Sequence, residues 1–454
     1  MFRISADVQI TENVVENYIE LHLAELPKLE KMQNYYAGEH NICNRHKDAD
    51  LANNKLICNH AKYITDTATG YLIGNPITYE SKSGGSNLDS LNNWLDIADS
   101  DTQDLDLALM ISKFGKACEL VYMSNSEKPT PLLASIDPRN AFVVYDDTIK
   151  ANPVFAVYYL PKYDDKGEKD GYKGIVYTKT ELINFTSVGG AITYGEKEQN
   201  NFKGIPLVEY WNNGDCQSDF EQVISLIDAY NILQSDRVND KQQFVEAVLL
   251  LYGAMLGDTP GEKRETYKAL KEFKVLELSA DAKAEYIQKT FDENSVEVLR
   301  KAIESDIHKF SGVPAMSDEN FAGDASGVAM RYKLLGFEQM TKIKERYFKE
   351  GIKSRLKLFL SIMYIKGQET IDINDIRINF TRSLPANETE IATMVMQLQG
   401  MVSGKTLVSQ LPFVEDADAE VKAVAKEKAE NIKLQNDMFA NTQPIDNGGE
   451  VNAE

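Results

Sequence analysis

The spacing of apolar side chains changes period twice along this chain, and that alternation limits the fold class more than any single motif does. Up to Phe114 the apolar positions recur at helical steps, between Cys118 and Tyr210 they alternate, and from Asp219 the steps of three and four return. In the first stretch, Val14, Val15, Tyr18, Ile19 and Leu21 predict a helix over 11–37, opened by Thr11 and restarted at Pro27. Further helices are expected from Asn59 to Gly70, over 88–98 and over 105–114, the last closed by Gly115. The turn at Gly74-Asn75-Pro76 leads into the strand-like Ile77-Thr78-Tyr79. Residues 118–123, 142–145, 154–160, 172–178 and 207–210 are rich in β-branched and aromatic residues. Too little helix lies between them for parallel crossovers, so a mostly antiparallel layer is predicted.

In the second half, Phe220, Val223, Ile227, Tyr230 and Leu233 predict a long helix over 219–242. A strand-rich insert follows, with strands expected at 247–253, 274–278 and 285–288. Helix then resumes with a capping-box pattern at Asn294 and Glu297, and Val296, Leu299, Ile303, Ile307 and Phe310 form one apolar face. Ser311-Gly312-Val313-Pro314 stops it, and the connection over 312–325 is longer than helix–helix links usually are, which favours a functional loop. A very long helix is expected from Ser326 to about Met363, bent near Gly336 and Gly351. A strand over 371–380, a helix opened by Asn387 and Glu390, a charged helix to about Asn436 and a disordered polar tail over 441–454 complete the reading. The fold class is α+β.

At 454 residues the chain exceeds one hydrophobic core, so two or three substructures are expected. Its 49 Lys plus Arg against 70 Asp plus Glu give a formal charge of −21, a surface that repels phosphate on average. This argues against a tight reader of DNA sequence and is compatible with a wall along which a duplex slides. Cys43, Cys58, Cys118 and Cys216 are scattered, and the start MFRISADVQI shows no apolar signal segment, so a reducing cytosol is expected. The apolar run near 248–251 is far too short for a membrane span.

The sequence carries few signs of catalytic chemistry. Gly404-Lys405-Thr406 matches the end of a phosphate-binding loop, but Gln399 stands where its first glycine belongs. His40, Cys43, His46, Cys58 and His60 are metal-capable, yet neither cysteine has the close partner of a zinc knuckle. Asp146-Asp147 and Asp48 with Asp50 read as solvated carboxylates. No catalytic residue, metal or cofactor is expected. Lys342, Lys344, Arg346, Lys349, Lys353, Arg355 and Lys357 form a stripe interleaved with Glu338, Glu345 and Glu350, readable equally as a DNA-facing surface or a salt-bridged solvent face.

Four ordered pieces then carry a resemblance. They are Gly70-Tyr71-Leu72-Ile73-Gly74-Asn75-Pro76, and Phe114-Gly115-Lys116-Ala117 with Glu119-Leu120-Val121-Tyr122. The others are Asp137-Pro138 with Val143-Val144-Tyr145-Asp146-Asp147, and Ser311-Gly312-Val313-Pro314 followed by Ser326-Gly327-Val328-Ala329 and Tyr332-Lys333-Leu334. Together with the order helix, insert, capped helix, loop and long helix, the chain resembles the portal proteins of tailed bacteriophages, in the SPP1-like branch common among phages of Gram-positive bacteria.

The resemblance implies a portal fold with long stem and wing helices, a β-rich wing layer and a small strand-rich clip. It places the wing and N-terminal arm at 1–218, stem helices at 219–242 and 292–311, and the clip at 243–291. It makes 312–325 a tunnel loop, 326–400 the long wing helix with its strand and following helix, and 401–454 crown-like helices with the tail. Ser317, Asp318, Glu319, Asn320 and Asp324 would face the DNA channel, and Val296, Leu299, Ile303, Ile307 and Phe310 are candidates for packing the stem, with packing inside one subunit explaining that stripe equally well. The implied assembly is a ring, usually of twelve subunits, at the capsid portal vertex of the virion, assembled in the host cytoplasm. Implied partners are double-stranded DNA without sequence specificity, the terminase large subunit, major capsid and scaffolding proteins, and head-completion or adaptor proteins, with no membrane. The alternative is a head–tail adaptor or tail protein with no channel.

Overall fold

The computed structural model describes residues 1–48, 51–244, 248–252, 258–273, 283–287, 293–316, 332–368, 370–382, 388–411, 414 and 417–440. The chain divides into two compact units, Met1–Asn320 with Leu334–Ser383, and Phe321–Lys333 with Leu384–Glu454.

The first unit opens with strand β1 (Phe2–Ile4) and helix α1 (Glu12–Ala37). Helix α1 runs unbroken through Pro27, contrary to the expected restart. A proline inside a helix forfeits one backbone hydrogen bond and crowds the preceding turn. Burial of Val15, Ile19, His22, Leu29, Met32 and Tyr35 on both sides of it offsets that cost. Helix α2 (His60–Ile73) is capped by Asn59, whose side chain accepts the Lys62 N–H at 2.9 Å, and it continues past Gly70. After β2 (Thr78–Ser81) come α3 (Asp89–Ile97) and α4 (Ser100–Phe114). Gly115 closes α4 at φ 85°, where a Cβ would stand 2.1 Å from the Cys216 carbonyl oxygen, so only glycine fits.

Eight strands follow: β3 (Lys116–Met123), β4 (Pro131–Ile136), β5 (Ala141–Asp146), β6 (Pro153–Tyr163), β7 (Lys169–Tyr177), β8 (Glu181–Val188), β9 (Ala191–Gln199) and β10 (Leu207–Trp211). They form two sheets, a six-stranded one in the order β1-β5-β6-β7-β8-β9 and a three-stranded one in the order β10-β3-β4. Pairing is antiparallel except where β1 lies parallel to β5. The β8–β9 hairpin turns on Gly189 and Gly190, both at positive φ, as a two-residue turn requires. Phe142, Val144, Phe155, Val157 and Val176 face α1, where they meet Val15 and Ile19. Their neighbours Val143, Tyr145 and Ala156 meet Cys118 and Leu207 of the smaller sheet. The period-2 alternation therefore fills two cores, one on each face.

A short 3₁₀ turn (Glu221–Val223) leads into α5 (Ile224–Phe244). The insert contains β11 (Val248–Tyr252) antiparallel to β12 (Lys283–Ile287), with helix α6 (Pro260–Phe273) between them. The all-strand reading of this insert overlooked α6. Its capping box, in which Thr259 N–H bonds Glu262 Oε2 at 3.2 Å and Glu262 N–H bonds Thr259 Oγ1 at 3.3 Å, precedes a run of strong helix formers. The strand expected at 274–278 lies outside the described residues. Helix α7 (Glu293–Ser311) begins one residue before Asn294, so Asn294 stands inside the helix and is not its cap.

Helix α8 (Leu335–Ile365) runs uninterrupted through Gly351. Phe348, Ile352, Leu356 and Phe359 on one side of it pack against Leu72, Leu91, Leu107, Ile111 and Tyr210 in the largest core. A 3₁₀ turn (Ile373–Asp375) and β13 (Ile376–Asn379), antiparallel to β2, complete the unit.

The second unit contains α9 (Glu388–Leu398), α10 (Gly404–Val408) and α11 (Ala417–Ala440). Gly404-Lys405-Thr406 is the first turn of α10, capped by Ser403. Asn387 and the tail 441–454 lie outside the described residues.

Candidate functional site

Of the loop at 312–325 that the sequence singles out, the described residues are its foot, 312–316, which lies beside α2 and at the end of α7. Helix α5 is fixed by the chain that links α1 to α2. Asn231, Ser235 and Asn239 occupy one side of α5 one turn apart, and all three are buried. Their side-chain oxygens accept the backbone N–H groups of Cys58 (2.8 Å), Leu56 (2.9 Å) and Asn54 (2.8 Å). Asn231 also donates at 2.8 Å to Nδ1 of His40, whose Nε2–H reaches the Tyr35 carbonyl at 2.9 Å. Nearby, Asp236 pairs with Arg45 at 2.5 Å and Lys47 at 2.9 Å, and Tyr35 donates to Asp228 at 2.8 Å.

Helix α7 meets α5 through polar residues. Glu297 pairs with Arg237 at 3.1 Å, and Arg300 reaches the Tyr230 hydroxyl at 3.1 Å, Glu297 at 2.8 Å and Glu304 at 2.6 Å. At the end of α7, His308 Nδ1–H donates to the Val313 carbonyl at 2.9 Å. The Tyr63 hydroxyl donates to the Pro314 carbonyl at 3.1 Å and accepts the Met316 N–H at 2.7 Å. The foot of the loop is thus tied to α2 and α7 together.

These contacts frame a cavity of about 410 Å³ lined by Cys58, His60, Tyr63, Tyr230, Glu304, His308 and Met316. Burial, aided by the neighbouring His308, lowers the His60 pKa from 6.5 to about 4, so its ring is neutral near pH 7. Burial also raises the Cys58 thiol, which keeps it protonated.

Ser317, Asp318, Glu319, Asn320 and Asp324 lie outside the described residues. The residues expected to pack the stem are divided. Ile307 is buried, Val296 and Ile303 are half-buried, and Leu299 and Phe310 are 50% and 58% exposed. The side of α7 turned toward the rest of its own subunit carries, besides Ile307, the polar series Glu297, Arg300, Glu304 and His308, which apolar periodicity alone did not single out.

The basic stripe of α8 is divided as well. Arg355 is fully buried between Asp104 and Glu119, and Lys344 is buried against Asp219. Lys342, Lys349 and Lys353 pair along the helix with Glu338, Glu345 and Glu350. Two of the seven cations therefore face neither DNA nor solvent; they hold α8 to α4, β3 and the approach to α5. Among the described residues, no three His, Cys, Asp or Glu side chains converge as metal ligands.

Helices tied by polar ladders, a two-sided β layer and a loop pinned at its foot define a structural subunit, built to hold shape and to meet other surfaces. The profile of the family "Phage portal protein, SPP1 Gp6-like" matches residues 15–434, and the chain belongs to that family. It is similar to the portal protein of Bacillus phage SPP1, 23% identical over 446 residues, which cover 93% of this chain and 84% of the relative. It is also similar to the portal protein of Clostridium phage phiCD119, 23% identical over 296 residues, 63% of each chain. Among solved structures, a chain of the neck of an empty GTA particle, computed with C6 symmetry, aligns with TM-score 0.46 and 13% identity over 78% of this chain and 90% of that one. Membership carries the structural role of a portal, the DNA channel at the capsid vertex of a tailed phage, and decides against an adaptor without a channel. The chain is not an enzyme.

Proposed function

We propose that copies of this chain close into a ring, twelve being the number the family resemblance implies, with α5 and α7 as its stem. The observation that carries this reading is the outward side of α7, where Leu299 and Phe310 remain 50% and 58% exposed within the subunit. Large apolar side chains about three turns apart on the same side of one helix gain from a neighbour that excludes water. In a ring each copy supplies that neighbour to the next.

In this reading residues 1–218 and 326–400 form the wing, 243–291 the clip, and 401–454 a crown-like end. Residues 312–325 form the tunnel loop. Asp318, Glu319 and Asp324 there carry the sign of the DNA backbone, so repulsion centres the duplex, while Ser317 and Asn320 offer brief water-mediated contacts. The clip takes the terminase large subunit during packaging and head-completion proteins afterwards, and the wing meets capsid and scaffolding proteins. Assembly takes place in the host cytoplasm, and the finished ring resides in the virion.

Single-particle images of the purified protein test the ring directly. Closed rings with a duplex-wide central hole are expected, and a protein that stays monomeric at micromolar concentration would overturn the reading. Shortening 316–322 is expected to spare folding and ring closure but impair DNA packaging or retention. Deletion of 254–284 is expected to abolish motor binding; unchanged binding would remove the clip assignment.

A further inference from the structure

Helix α7 carries two unlike sides. His308 and Glu304, one turn apart, line the cavity shared with His60, Tyr63 and Tyr230. Phe310 follows His308 by two positions, about 200° around the helix, and Leu299 precedes it by nine, about 180° around. The exposed apolar side of α7 is therefore turned away from the cavity side. Beside Phe310, the Lys309 ammonium lies 5.5 Å from the ring centroid, and among the described residues it has no carboxylate partner. On the cavity side, Glu304 uses Oε2 for Arg300 and leaves Oε1 without a hydrogen bond among the described residues.

A closed ring joins one face of each subunit to a different face of the next, so a projection on one side of α7 is carried toward the hollow on the other side of its neighbour's α7. We infer that Phe310 of each copy seats in the His60–Tyr63–Tyr230–His308 cavity of the adjacent copy, with Lys309 meeting the free oxygen of Glu304. This inference rests on the ring reading above. The hollow of about 410 Å³ has ample room for a phenyl ring, since benzene fits an apolar cavity of about 150 Å³. Its lining suits an aromatic guest: two tyrosines and two imidazoles offer ring edges and faces, and the Met316 thioether is a favourable aromatic neighbour. The neutral state of His60 keeps a charge away from the phenyl ring. Lys309 supplies charge complementarity at the rim.

The native Cys58 in the cavity wall provides the test. In full-length Phe310→Cys, oxidation by diamide should join the introduced thiol to Cys58 of a neighbouring copy, the two thiol hydrogens passing to the reagent. A ladder of covalent multimers is expected, lost when Cys58→Ser is added. Rings that assemble but yield no such bond, or only a monomeric product, would overturn the inference while leaving the ring intact. Failure of the unmodified protein to form rings would instead overturn the reading on which it rests. Phe310→Glu gives a second measure. The side chain is exposed within the subunit, so circular dichroism should be unchanged, while the concentration needed for half-assembly should rise roughly tenfold or more, as for a central interface anchor. Unchanged assembly would refute the seat.

Discussion

Arg355 of α8 and Asp104 of α4, 251 positions apart in sequence, form a fully buried ion pair. The same guanidinium donates to Glu119 at 2.9 Å, and Glu119 accepts the Tyr210 hydroxyl at 2.7 Å. Two carboxylates thus share one cation where water does not reach. Burial raises the Asp104 carboxyl above the usual carboxylate range, and the attraction of Arg355 offsets only part of that rise.

Replacing Arg355 with Met should therefore cost about 3–5 kcal/mol at pH 7 in a denaturant titration, because it strands two buried carboxylates without a cation. The loss should shrink in acid. A folded-state pKa raised above the unfolded value gives a contribution that is full below the ordinary value of 3.8 and is lost as pH rises through the folded value. Removing Arg355 raises that folded value further. An equal loss at pH 4 and pH 7 would rule out the charge account.

His22 makes the wild-type protein sensitive to acid in the opposite sense. Fully buried, it donates from Nε2 to the Pro138 carbonyl at 2.9 Å and accepts the Tyr159 hydroxyl at 2.8 Å through Nδ1. Burial, with Lys116 beside it, lowers its pKa from 6.5 to about 4. Its contribution is present above pH 6.5 and is lost as pH falls through about 4, a loss of about 3 kcal/mol once the ring is protonated. His22→Gln should flatten the pH dependence of stability in that window, and an unaltered slope would assign the acid sensitivity elsewhere.

The period changes near Gly115 and Asp219 were legible because they reflect which side chains avoid water, a property each segment carries by itself. The destination of the α8 cations was not, because Asp104, Glu119 and Asp219 are distant in sequence and become partners only after folding. Strand β4 escaped notice because Pro131 and small residues interrupt its alternation. For α7 the periodicity located the apolar stripe, but a stripe does not say whether its cover comes from the same chain or another. The foot of the 312–325 connection is held by Tyr63, more than two hundred residues earlier, a partner that no local pattern names.

Gly351 separates helix propensity from packing. A Cβ at this position would stand 2.4 Å from ring carbons of Tyr210, whereas one at Gly336, in the same helix, would meet nothing within 4 Å. Gly336→Ala should be neutral or stabilising by up to about 1 kcal/mol. Gly351→Ala should instead cost about 1–3 kcal/mol, since overpacking against a buried ring outweighs the propensity gain. If both variants were stabilised equally in thermal melts, the close approach of Tyr210 to α8 would be wrong.

The ladder on α5 supports the last prediction. Four residues of helix rise about 6 Å and two residues of extended chain about 6.6 Å, so every helical turn can serve every second backbone N–H. Asn231, Ser235 and Asn239 do this for Cys58, Leu56 and Asn54. The Ser235 hydroxyl donates to the Asn231 carbonyl at 2.7 Å, which leaves its lone pair for Leu56. Ser235→Ala removes that single rung and should cost about 1–2 kcal/mol. Asn231→Ala also strips His40 of its partner and should cost more, about 2–4 kcal/mol, because two buried groups then lack a bond. Amide hydrogen exchange distinguishes a ladder from general loosening. In Ser235→Ala the Leu56 amide should exchange fastest, with smaller increases at Asn54 and Cys58 and little change along α1. Acceleration spread evenly over the first unit would show that Ser235 supports packing at large and not this contact between α5 and the chain leading to α2.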